Sequence, residues 1–189
     1  MLINRLKAPA LFVTLVVFAM LSRLLPHAPN LAAVAAVAMF AGWFFHSRLL
    51  AISVPLTAML LSDALIGGYQ PAIMVAVYLS FIAPVFFRGL IGRDLSAARL
   101  LARAGIGALA ASTLFFISTN LAVWAFAGYY PLTAPGLAAC FAAALPFFRH
   151  TLAGDLVFTS FLFGSFILLT RLMSARSAVL TIPNTAVAS

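Results

Sequence analysis

The chain carries few residues able to do chemistry: three acids, three histidines and one cysteine among 189 residues. Nowhere are so many polar groups crowded against so much hydrocarbon as in one stretch, Ser112 to Asp155, which reads STLFFISTNLAVWAFAGYYPLTAPGLAACFAAALPFFRHTLAGD. Asn120 lies inside an otherwise apolar run and must hydrogen-bond something there, with a neighbouring backbone carbonyl or a Ser/Thr hydroxyl as its plain partner. Trp124 falls one helical turn further on, and Phe116 one turn back, so the three share a face on which an indole can stack against a ring. Asp63, Asp155, Arg23 and Arg149 can pair with one another or bind a polar ligand, because a charge at membrane depth costs several kcal/mol unless paired or wetted. With His27, Asn30, Tyr78 and Tyr130 these make the expected ligand-binding set, and five of them, Asn120, Trp124, Asp63, Asp155 and Arg149, are expected to line one cavity.

Other chemistries find no support in the spacing. His27 and His150 have no second ligand at i+3 or i+4, so they read as interfacial residues and not as a metal site. Cys140, in a run of Ala and Phe, reads as a small packing residue. Gly105, Gly107 and Ala110 spell G-x-G-x-x-A, but inside a helical apolar run with no strand before it, which removes the dinucleotide reading. Phosphate-binding loops, H-E-x-x-H and Ser-His-Asp arrangements are missing, so no catalytic residue is assigned and no cofactor is named.

The elements that must position these groups are membrane helices. A composition of 65% hydrophobic and 7% charged residues, with mean hydropathy +1.17, lies far outside the range of soluble domains. Six apolar runs can be read: the first from the N-terminus to Pro26, then Leu31–Phe45, Leu49–Leu65, Pro71–Phe87, Ala104–Ala127 and Leu156–Thr170. Pro9 suits the first turn of the first helix. Leu137 to Phe148, bounded by GYYPLTAPG and Pro146, is too short to cross and is expected as a short helix in the outer leaflet. The fold expected is an all-α membrane protein of six transmembrane helices with that short helix between spans 5 and 6. Residues 1–176 form its single domain, and 177–189 an uncharged, disordered tail. Small-residue stripes at Ala104, Ala108 and Ser112, at Ala32 and Ala36, and at Ala38 and Gly42 mark close helix contacts.

Orientation follows from Lys and Arg. Six crossings with both termini cytoplasmic place nine of the eleven inside, namely Arg5, Lys7, Arg48, Arg88, Arg93, Arg99, Arg103, Arg171 and Arg176, and leave Arg23 and Arg149 outside. The net charge of +8 is thus a topology signal and a source of contacts with membrane lipids, and nucleic acid is not expected as a partner.

The segments LLPHAPNLAAVAAVAMFAGWFF, PLTAMLLSDALIGG and LFFISTNLAVWAFAGYYPLTAPGLAACFAAALPFFRHTLAGDLVFTSFLFG resemble an uncharacterised family of six-span bacterial membrane proteins over nearly the whole chain. In size, helix count and outer-side polar cluster the pattern is also similar, more distantly, to the S components of energy-coupling-factor vitamin transporters, the solitary cobalamin-type ones included. That resemblance implies a substrate-binding subunit in the bacterial inner membrane. It implies a vitamin-sized ligand in an outward-facing cavity and a transmembrane coupling subunit with ATPases as partner. Ala10 and Thr14 stand at the spacing of the small-residue docking motif such proteins carry in the first span. The rival reading is a membrane enzyme or assembly subunit acting on a lipid or prenyl substrate.

Overall fold

The computed structural model describes residues 2–26, 30–92 and 96–180. Among them every regular element is a helix: α1 Leu2–Leu24, α2 Val34–Phe44, α3 Arg48–Ile66, α4 Pro71–Ile82, a 3-10 turn Ala83–Phe87, α5 Arg88–Ile91, α6 Ala97–Phe126 and α7 Ala134–Leu180. Four stretches are long and apolar enough to cross a membrane: α3, α4 continued through α5, α6, and α7 as far as Arg176. Two shorter apolar helices, Ala8–Leu24 and Val34–Phe44, accompany them. Large apolar side chains such as Leu49, Leu79, Val157 and Leu168 point outward from these helices, as they do on surfaces that face lipid.

The boundaries follow the local sequence. Ser47 caps α3 by accepting from the Leu50 N–H, Gln70 does the same for α4 from Ile73, and Pro71 takes the first helical position of α4. Helix α1 begins at Leu2, so Pro9 lies inside it and not in its first turn. The expected short helix at Leu137–Phe148 does not exist as a separate element. It forms the opening turns of α7, which runs unbroken through Pro146. The proline ring removes one N–H and crowds the carbonyl four residues back, which belongs to Ala142. A long helix lying along α6 holds its course through one such defect, as membrane helices commonly do. Residues 181–189 of the expected tail lie outside the described residues.

Helix α2 is the axle of the bundle, with its residues from Val34 to Trp43 all buried. Small side chains let its neighbours approach. Gly42 lies against the Val85 backbone, Gly107 of α6 against the Met39 sulfur, and Ala104, Ala108 and Ala111 of α6 are buried. The stripes read from the sequence at Ala104 and Ala38 are therefore contact faces. At the Gly42 end, Phe40, Trp43 and Phe44 of α2 meet Phe163 and Phe166 of α7 in an aromatic cluster, with Trp43 and Phe166 ring centroids 4.9 Å apart and perpendicular. The Trp43 indole N–H donates to the Gly92 carbonyl at 2.6 Å, which fixes the turn after α5.

Candidate ligand cavity

The polar groups meet where α1 and α3 end and α2 begins. Arg23 stands in the last turn of α1, where a cation suits the helix dipole. Its guanidinium reaches α3, donating to the Asp63 Oδ1 at 2.5 Å, to the Met59 carbonyl at 3.3 Å and to the Ser62 hydroxyl oxygen. The Tyr78 hydroxyl of α4 donates to the other Asp63 oxygen at 2.7 Å. Asp63 thus has both oxygens engaged and is 6% exposed. Ser22 of α1 accepts from the Ala33 N–H at 2.9 Å and anchors the start of α2. Asn30, just before, holds a left-handed φ of 63°, a conformation Asn tolerates better than most residues.

Across from this pair, α6 and α7 run antiparallel. Phe116 meets Phe148, and the Ser112 hydroxyl donates to the Asp155 Oδ2 at 2.6 Å. Asp155 is 3% exposed and has no basic partner among the described residues. Between Arg23 and Asp155 lies a cavity of about 330 Å³ with Asn30, Tyr69, Phe81 and Phe115 also in its wall. Tyr69 belongs to the loop after α3, and burial, then the nearby Asp63 charge, pushes its phenol above the ordinary value. It therefore presents a neutral O–H.

Two more cavities continue from the first. One of about 210 Å³ shares Asn30, Val77, Phe115 and Thr151 with it and adds Thr119 and Asn120. The next, of about 170 Å³, shares Asn120, Val123, Ala144 and Phe147 with the second and adds Tyr130 and Cys140. Helix α6 continues from Ser112 to Phe126, roughly 20 Å at about 1.5 Å per residue, and α7 returns beside it from Ala134. The ion pair thus sits at the base of a column of cavities walled by α4, α6 and α7, not at the tip of the bundle.

The expected site residues are distributed accordingly. Arg23, Asn30 and Asp155 line the first cavity, Asn120 the second and third, and Tyr130 the third. Asp63 and Tyr78 stand behind Arg23 and act on the cavity through it. Asn120 donates its amide to the Phe116 carbonyl at 2.7 Å, the plain backbone partner. Arg149 is exposed on α7 and does not reach these cavities, because the unbroken helix turns it outward. The His150 Nδ1 is buried with no hydrogen-bond partner among the described residues. His27 lies outside the described residues. Tyr69, Phe115, Thr151 and the donor Ser112 were missed; of these only Ser112 left a trace, as a member of a small-residue stripe.

Trp124 has another task. Its indole N–H donates to the Pro131 carbonyl at 3.0 Å, and a Cβ added at Gly136 would stand 2.1 Å from the same oxygen. Both residues grip the turn between α6 and α7. Trp124→Phe keeps the ring and loses the donor, so it should cost about 0.5–1.5 kcal/mol. Hydrogen exchange should rise across residues 127–133, while ligand affinity stays within a factor of about two.

The sequence profile of a family of unknown function, DUF6580, matches residues 4–178. The chain belongs to that family. No curated protein and no solved structure matches it. In this DUF6580 member the matched span takes in every residue that lines the cavity column.

Proposed function

We propose that this DUF6580 protein is the substrate-binding membrane subunit of an uptake system for a vitamin-like small molecule, held in the cavity column. The observation that carries the reading is the column itself: three adjoining cavities with Arg23 and Asp155 at the base and aromatic side chains along the wall. A mostly apolar enclosure with a few convergent polar groups is the usual form of a small-molecule site. Arg48, Arg88, Arg99, Arg103 and Arg171 lie toward the opposite helix ends, which supports six crossings of a bacterial inner membrane, both termini cytoplasmic and the column opening outward. Helices α6 and α7 continue past the level of the ion pair toward Phe126 and Ala134, which supports a site walled by helices on the outer side. Concentrative uptake also requires energy. With no nucleotide-binding motif in the chain, a transmembrane coupling subunit with ATPases is the partner proposed.

Native mass spectrometry of the full chain, purified from its own membranes in mild detergent, tests this. A discrete adduct of a few hundred daltons, released by Asn120→Leu, supports the proposal. Adducts of phospholipid or prenyl mass alone would overturn it in favour of an enzyme or assembly subunit acting on lipid.

A further inference from the structure

We infer that the ligand of the first cavity is a singly cationic, ring-bearing molecule whose positive nitrogen rests on Asp155. The inference builds on the small-molecule reading above and adds the sign of the ligand's charge.

Two basic-acidic combinations were available to this cavity, and only one is made. Arg23 is neutralised by Asp63 at 2.5 Å, and its Nη1 also donates to Ser62 and the Met59 carbonyl. The second Asp63 oxygen is taken by Tyr78 at 2.7 Å. That group contributes no net charge to the cavity. Asp155 stands in the same wall with a single hydrogen bond, from Ser112 at 2.6 Å, and no basic partner among the described residues. A buried carboxylate without a countercharge is costly, and in an empty cavity a proton relieves it. An ammonium or a cationic heterocycle removes that cost by taking the proton's place, whereas an anion would add repulsion from Asp155 and meet an Arg23 whose charge Asp63 already offsets.

The rest of the wall fits the body of such a ligand. Phe81 and Phe115 lie with ring centroids 4.8 Å apart, and Tyr69 adds a third aromatic side chain. Aromatic faces attract cations and stack on rings, while they give a carboxylate nothing. The volume, about 330 Å³ opening into about 210 Å³, suits one ring system with a short cationic arm.

Three probes matched in ring and size separate the charge from the shape: tryptamine, cationic; indole-3-ethanol, neutral; and indole-3-acetate, anionic. Their binding to the full chain in detergent is measured by isothermal titration calorimetry. Tryptamine is expected to bind about 10–100-fold tighter than the alcohol, the range for a hydrogen bond to a charged group, with indole-3-acetate weakest. Asp155→Asn keeps the side-chain shape and an acceptor for Ser112. It should bring tryptamine down to the level of the alcohol and leave the alcohol unchanged. The ranking on the unaltered chain stands as a test even if that variant does not fold. Indole-3-acetate binding more tightly than tryptamine would overturn the charge assignment and leave the small-molecule cavity standing. Binding of none of the three overturns the assignment, and the small-molecule reading falls with it only if native mass spectrometry also finds no adduct.

Discussion

Arg23→Ala is expected to destabilise the protein by about 3–5 kcal/mol, the cost typical of removing one partner from a buried ion pair. Asp63 is 6% exposed and, among the described residues, would keep only the Tyr78 hydroxyl as donor once the guanidinium is gone. Asp63→Ala should cost a similar amount, because Arg23 then keeps two neutral acceptors on α3, the Ser62 oxygen and the Met59 carbonyl, and loses its countercharge. Replacing both together, Arg23→Met with Asp63→Leu, removes the uncompensated charge and preserves volume, so the double variant should unfold within about 1 kcal/mol of the parent. Denaturation of the purified protein in mixed micelles reads all three. Single variants as stable as the parent would mean that water or lipid headgroups compensate the charges, and that the pair does not hold α1 to α3. The double variant also keeps the bundle while taking the guanidinium out of the cavity wall, which separates a structural effect from a ligand effect.

A single methyl group at Gly42 should do comparable damage. The added Cβ would stand 2.1 Å from the Val85 carbonyl oxygen and 2.7 Å from two further Val85 backbone atoms. Backbone cannot rotate away as a side-chain tip can, so either α2 or the 3-10 turn must shift. Both residues are buried, and α2 is packed on every side. Overpacking of a well-filled core typically costs about 1–3 kcal/mol, occasionally more, and Gly42→Ala belongs at the upper end because backbone blocks it. The control is Gly105 of α6, whose Cβ would meet nothing within 4 Å. There Gly→Ala should be neutral or stabilise by up to about 1 kcal/mol through helix propensity. Equal unfolding midpoints for the two variants would show that the α2 contact is loose.

Only part of this architecture could be read along the chain. Composition and the length of the apolar runs together make the protein a helical membrane protein, because a chain so apolar cannot leave them in water, and continuous runs of that length close their backbone hydrogen bonds as helices. Proline, glycine and capping residues mark where α1, α3 and α4 stop or start, since their effects are local. Small-residue spacing likewise shows which face of α6 packs, though not against what. Pro146 marks the limit of such local reading: it forecasts a break, yet tertiary packing of α7 along α6 outweighs one missing hydrogen bond.

The sequence by itself determined which groups were available to a site, Arg23, Asp63, Asp155 and Asn120 among them, because polar residues are too costly in hydrocarbon to be scattered at random. Which acid answers which base was decided only by the tertiary structure. Arg23 and Arg149 are equivalent in the sequence, each basic and each near a helix boundary. Packing turns the first toward Asp63 and the second out of the bundle, and among the described residues gives Asp155 a hydroxyl in place of a cation. Pairing depends on the rotation and depth at which helices meet. Those are fixed by contacts such as Gly42 on Val85 and Gly107 on Met39, between residues far apart in the chain, and no local pattern encodes them.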